Sequence, residues 1–246
     1  MISMTITMML MLAYSVSGDN FVSNEPIESD SFSKYHASKM PELDYYSDYE
    51  SLRPTTKAVV VYPIFTQSAY EWEGIHDYYA GYCDSCLSTP IQEYYEKTFA
   101  SSGNGYRILE FLGYEAIDDI DIDKNPAILE KYDKVILLHN EFVTRAEFEA
   151  ITQHPNVIYL YPHALTSEIQ ADYSTNTISL IRGPGFPDEN VVNGFDWEFD
   201  NSEFFDDWSC VNWKFYEINN GYMLNCYPET ELPHYGHSIL KTIKTL

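Results

Sequence analysis

Apolar residues in this chain fall into two spacings, and between residues 132 and 161 (YDKVILLHNEFVTRAEFEAITQHPNVIYLY) the spacing switches twice. Residues 135–138 form a continuous apolar run, the pattern of a strand buried on both faces, and the run ends in His139, Asn140 and Glu141. A helix is expected next. Thr144 with Glu147 three residues on fits a capping box, Val143 with Phe148 fits a hydrophobic staple, Phe148 and Ile151 supply an inward stripe, and Pro155 forbids continuation. Residues 157–161 repeat the buried-strand pattern. Strand, helix and strand in this order predict a parallel βαβ unit, and in such sheets ligands bind outside the carboxyl ends of the strands. His139 and Glu141 stand at that place.

The same reading extends along the chain. Residues 57–65 (KAVVVYPIF) predict a buried strand, and residues 74–90 an aromatic, cysteine-bearing excursion in which Tyr78, Tyr79 and Tyr82 are candidate pocket walls. Helices are expected over 91–100 and 106–112, the second stopped by Gly113. Residues 115–122 alternate, with Ile120 and Ile122 opposite Asp119, Asp121 and Asp123, as in a half-exposed strand. The D-x-D-x-D there lacks the glycine and glutamate of a calcium loop, since those positions hold Lys124 and Glu130. Asn125 and Pro126 open a short helix to Lys131. Strands near 59, 117, 136 and 158 with helices between them make an alternating α/β core. The carboxyl third departs from alternation. It predicts a strand over 176–182, a turn at RGPGFP, a hairpin of 213–218 with 222–226, and a closing amphipathic helix over 238–246, a β-rich extension of the sheet.

Composition narrows the class. With 246 residues, 45% of them hydrophobic, the chain accommodates one domain of about 190 residues. Residues 1–18 are expected to be a signal peptide, 19–56 an acidic flexible leader, and 57–246 a single α/β domain. The net charge of −24, from 38 acidic and 14 basic residues, repels nucleic acid and excludes it as a partner. The apolar start is too short to span a bilayer, so the mature protein is expected to carry no transmembrane segment and to be secreted or held at the cell envelope. In an exported chain the even set Cys83, Cys86, Cys210 and Cys226 reads first as two disulfides, most simply Cys83 with Cys86 and Cys210 with Cys226. A redox pair or half a zinc site at CDSC are the alternatives.

Candidate chemistry gathers at strand ends. Side chains two apart on an extended segment point the same way, so His139 and Glu141 form either metal ligands or a general base with its orienting carboxylate, acting on a small-molecule substrate. The next strand adds Tyr159 and Tyr161, with His163 and Glu168 just beyond. Arg182 enters a Gly- and Pro-rich loop suited to a carbonyl or carboxylate. Two histidines and a carboxylate suit iron or zinc with open positions. The structural alternative is that His139 and Asn140 hold the following turn, the tyrosines are buried sheet aromatics, and Glu168 is solvated.

Three segments carry a resemblance. YDKVILLHNEFVT, EFEAITQHPNVIYLYPHAL and NGFDWEFDNS resemble exported archaeal proteins with a class I glutamine amidotransferase-like core. More specifically, they resemble the domain related to the carboxyl part of the N,N-dimethylformamidase large subunit, over residues 57–246. The resemblance implies a flavodoxin-like parallel sheet flanked by helices and hydrolysis of a C–N bond in a small amide. Amidotransferases of this class carry a nucleophilic cysteine at the turn after a central strand, where this chain has His139, Asn140 and Glu141. The dimethylformamidase enzymes hold iron with tyrosine and carboxylate, a set chemically matched by Tyr159, Tyr161 and Glu168. The competing expectation is a noncatalytic extracellular or envelope-associated module that keeps the fold without the chemistry.

Overall fold

Branched apolar runs become strands and capped amphipathic segments become helices in a computed structural model that describes residues 49–92, 97–199 and 210–246. In chain order its elements are α1 (Tyr49–Leu52), β1 (Ala58–Tyr62), α2 (Ile64–Ala69), α3 (Ile75–Tyr79), β2 (Ser88–Pro90), α4 (Gly103–Phe111), β3 (Glu115–Asp118) and α5 (Asp119–Lys124). A 3-10 helix (Pro126–Lys131) follows, then β4 (Lys134–Leu137), β5 (Phe142–Thr144), α6 (Arg145–Gln153), β6 (Val157–Tyr159), β7 (Ser167–Asp172) and β8 (Thr177–Arg182). The chain closes with β9 (Phe215–Ile218), β10 (Gly221–Leu224), α7 (Leu232–Tyr235) and α8 (His237–Thr245).

The main sheet has the order β3-β1-β4-β6-β10-β9. Its first five strands are mutually parallel, and β9 joins antiparallel through the hairpin to β10. Val59 pairs with Val135, and Val135 with Val157, so the three continuous apolar runs lie side by side in register. Successive side chains on a strand point to opposite faces, and the core divides accordingly. Val60, Ile136 and Ile158 pack with Leu52, Leu109 and Ile239 from α1, α4 and α8. Val59, Val135 and Val157 pack with Ile122, Leu129 and Ile151 from α5, the 3-10 helix and α6. Helices thus cover both faces of a mostly parallel sheet, as a sheet of continuous apolar strands requires. Taken in chain order, the five parallel strands lie second, first, third, fourth, fifth, so the direction of winding reverses between β1 and β4.

The β10 strand approaches β6 so closely that a Cβ at Gly221 would lie 1.9 Å from the Val157 carbonyl oxygen, which explains the glycine after Asn219 and Asn220. Disulfides link Cys83 to Cys86 and Cys210 to Cys226, with Cα separations of 5.5 and 5.4 Å. Both expected pairings therefore hold, and they fit an oxidising compartment. Among the described residues, no helix is long and apolar enough to cross a membrane.

Several elements differ from expectation. The strand expected over 57–65 ends at Tyr62, because Pro63 stops it and Ile64 and Phe65 enter α2. The alternating segment 115–122 is a strand only to Asp118. Asp118 then caps α5 by accepting from the Asp121 N–H at 3.0 Å while Asp121 reaches back, a capping box that converts the remaining Ile/Asp alternation into helix. The acidic leader expected to 56 includes ordered structure, since Leu52 of α1 is buried in the core. Within the helix expected over 91–100, residues 93–96 lie outside the described set, and 91–92 and 97–100 are not helical. The signal peptide expected over 1–18 also lies outside it. A second sheet of order β2-β8-β7-β5 was not foreseen. Its β7 strand carries a buried–exposed alternation from Ser167 onward that a period-two search finds.

Candidate functional site

The β4 run stays buried through Leu138, and the chain must then leave the sheet to start β5. At this turn the His139 and Glu141 side chains meet each other, and the Asn140 side chain goes instead to Asp119 of α5. Thr66 fixes the turn from across the winding reversal, its hydroxyl accepting from the Glu141 and Phe142 N–H groups at 3.0 and 3.1 Å.

His139 Nε2 lies 3.0 Å from Glu141 Oε2, and His139 Nδ1 hydrogen-bonds the Ala100 carbonyl. Tyr70 donates its hydroxyl to the same Glu141 oxygen at 2.8 Å. Three tyrosine rings enclose the imidazole, with centroids at 4.0 Å for Tyr161 and 5.3 Å for both Tyr70 and Tyr227. The His139 side chain is 3% exposed and that of Glu141 15%. Both ring nitrogens thus face acceptors, and neither directs a lone pair at open space. Burial pushes the Glu141 carboxyl upward, but hydrogen bonds from His139 and Tyr70 and the nearby His139 and His163 outweigh it and hold Glu141 below the usual glutamate range. Burial raises the Tyr70 and Tyr161 hydroxyls.

Of the residues singled out from sequence, His139, Glu141, Tyr161 and His163 come together, the Tyr161 hydroxyl lying 3.3 Å from His163 Nδ1. The others are engaged elsewhere. Tyr159 packs on the opposite face of the sheet and donates to Asn220 Oδ1 at 3.2 Å. Glu168 takes both ends of the Arg145 guanidinium, at 3.0 and 2.5 Å. Arg182 ties down a loop by donating to the carbonyls of Asn193 and Gly194 at 3.0 and 2.9 Å and to Asp196 at 2.6 Å. The tyrosine and carboxylate iron set therefore does not fit, because Tyr159 and Glu168 are committed to different partners. Among the described residues, no group of three or more His, Cys, Asp and Glu is placed to hold a metal ion. Tyr78 packs edge-on against Tyr79 and Phe186, while Tyr82 is exposed, so the excursion is mainly a packed wall.

Sequence reasoning missed the partners that close this region. Tyr227 donates to the Phe99 carbonyl and accepts from the Ser102 N–H at 3.2 Å, pinning residues 99–102 over His139. Glu229 accepts from the Asn104 and Gly105 N–H groups at 2.5 and 3.0 Å at the start of α4, and burial pushes its carboxyl up to about 8. Asp119 accepts from Asn140 Nδ2 at 2.7 Å. These contacts span long sequence separations, and only Asp119, inside an acidic alternation, left any local signal.

A cavity of about 590 Å³ opens at the amino ends of β4 and β6, away from His139, between the 3-10 helix and α6. Leu129, Tyr132, Ala146, Ala150 and Pro155 line it, with Glu130 and Glu149 alongside. His154 in its wall is structural, its Nε2 3.0 Å from the Tyr132 carbonyl and its Nδ1 accepting from the Asn156 N–H at 3.2 Å. No protein-family model and no curated protein matches the chain.

Proposed function

We propose that this protein is a noncatalytic, secreted or envelope-associated binding module built on a flavodoxin-like fold related to the class I glutamine amidotransferase-like domains. The strand order, second-first-third-fourth-fifth, supports the flavodoxin-like assignment. The two disulfides support export. One observation carries the loss of chemistry: His139, which stands where the resembling enzymes hold their nucleophile, has both ring nitrogens committed and its ring enclosed by three tyrosines. A general base must reach the proton it removes. The cavity between the 3-10 helix and α6 is of the size that holds small ligands and supports a binding role away from the strand ends.

One observation favours the amide hydrolase as a second reading. The His139–Glu141 pair lies at the winding reversal, where α/β sheets gather ligands, with the half-buried His163 beside it. Assay of the native protein against formamide and N,N-dimethylformamide, with metal analysis of the same sample, separates the two. The binding-module reading expects no turnover above background and no stoichiometric metal. Turnover that disappears in His139→Ala at unchanged stability overturns it.

A further inference from the structure

Two acidic residues begin neighbouring helices. Asp119 opens α5, and Glu147 is the third residue of α6. We propose that Glu147 and Asp119 share a single proton as a carboxylic acid–carboxylate pair, forming a latch between α5 and α6 that loosens as pH rises.

The hydrogen-bond geometry requires a proton. Both residues are 0% exposed. Asp119 has both oxygens occupied by donors, Oδ2 by the Phe65 N–H at 2.9 Å and Oδ1 by Asn140 Nδ2 at 2.7 Å, as an ionised carboxylate prefers. Glu147 Oε2 accepts from the Thr144 N–H at 2.8 Å within the capping box, whereas Oε1 is buried without a donor. The two carboxyl groups nevertheless hydrogen-bond each other. Two acceptors cannot do so unless one carries hydrogen. A proton on Glu147 Oε1 supplies that bond and removes the orphan oxygen at once.

The surroundings hold the proton in place. Among the described residues neither carboxylate has a salt-bridge partner. At the N-cap of α5 Asp118 raises Asp119, and on the helix Asp123 raises Glu147, with Asp121 and Lys124 on the same helix. Tyr173, from the turn after β7, donates to Asp123 at 2.6 Å and lies under the Lys124 ammonium. On α6, Arg145 is committed to Glu168 of β7, and Glu149 adds negative charge on the exposed side. The α2 and β5 segments carry no titratable side chain. Burial is the leading cause raising both carboxyls, Glu147 well above the usual glutamate range.

Loss of the proton leaves two negative charges at hydrogen-bond distance away from water, which the packed helices relieve by separating. Asn140 donates to Asp119 and stands between His139 and Glu141, so the strand end is coupled to the latch. Unfolded carboxyls ionise near about 4, whereas burial of the folded pair raises Glu147 well above that value. The latch therefore contributes fully below the unfolded value, and its contribution is lost as pH rises toward the folded one.

Urea unfolding of the full-length chain from pH 5 to 9 tests this, with Glu147→Gln as the key variant. Its amide oxygen accepts from Thr144 and its NH₂ donates to Asp119, without titrating. Wild-type protein is expected to release about one more proton on unfolding than the variant between pH 5 and 8, so that the stability difference between them changes with pH by that amount. Infrared spectra at neutral pH are expected to show a protonated, buried carboxyl C=O band in the wild type that Glu147→Gln loses, over and above the band that Glu229 contributes to both proteins. Equal pH slopes in the two proteins, or carboxyl bands of equal intensity in both, overturns the proposal. So does stabilisation of the wild type, and not of the variant, by calcium added after chelation, which assigns the pair to a cation. If the variant fails to fold, the protonated-carboxyl band that remains in Glu229→Gln decides, its absence overturning the proposal.

Discussion

Replacing His139 by alanine tests the enclosed strand end most directly. The imidazole is almost fully buried, touches three tyrosine rings, and bonds the Ala100 carbonyl on one side and Glu141 on the other. Removing an aromatic-sized side chain from such a position leaves a cavity costing about 2–3 kcal/mol. The Ala100 carbonyl loses its partner, and Glu141 keeps only the Tyr70 hydroxyl of its two side-chain bonds, adding about 1–2 kcal/mol. The sum is roughly 4 kcal/mol, or on the order of 10 °C in Tm for a domain of this size. Urea denaturation followed by far-ultraviolet circular dichroism gives the free energy, and differential scanning calorimetry the midpoint. A His139→Ala protein within about 0.5 kcal/mol of wild type, the ordinary range for an exposed position, would refute the structural role of the ring and with it the argument against catalysis.

Three further outcomes follow from other parts of the molecule. Thr144→Ala removes the hydroxyl that accepts from the Glu147 N–H at 3.2 Å, and is expected to lower stability by about 1 kcal/mol in urea titration, since the α6 cap is lost while the sheet is untouched. Glu141 has its carboxyl held below the usual range, so its contribution is present above the unfolded value and lost as pH falls through the folded one; Glu141→Gln is expected to flatten the acid limb of the stability profile below about pH 4, and an unchanged limb would remove Glu141 from acid sensitivity. Replacing Cys210 and Cys226 together by alanine opens a loop of 16 residues' separation and is expected to cost about 3 kcal/mol, whereas alkylation of unreduced native protein should find none of the four cysteines free.

How far the fold was legible depended on whether its determinants were local. The apolar runs at 58–62, 135–138 and 157–159 announced buried strands because a parallel sheet covered on both faces needs apolar residues along its strands. Thr144 and Glu147 announced α6 because a capping box lies within four residues. The Ile/Asp alternation after residue 118 was ambiguous for the same reason in reverse. Ile120 and Ile122 can be buried from a strand or from a short helix, and the cap contributed by Asp118 and Asp121 decided between them. The hairpin of β9 and β10 was visible in its Asn-Asn-Gly turn, but its parallel pairing with β6 was not, because that contact spans more than sixty residues.

The site divides along the same line. By itself the sequence put His139 and Glu141 together at the end of a central strand, since side chains two apart share a side, and its even set of cysteines suited an oxidising compartment. How His139 is engaged was decided only in three dimensions. Tyr70, Ala100, Tyr161 and Tyr227 reach it from four separate segments, the Ala100 carbonyl taking one nitrogen and the tyrosines the faces, while Glu141 takes the other nitrogen. Tyr159 and Tyr161, indistinguishable as sequence candidates, ended with different neighbours, one against the core and the other against the histidine. Asp119 and Glu147 meet only because α5 and α6 pack side by side. Chain periodicity fixes which face a side chain takes on its own element; hydrogen-bond partners, exclusion of water and the resulting protonation depend on what other elements bring to that face.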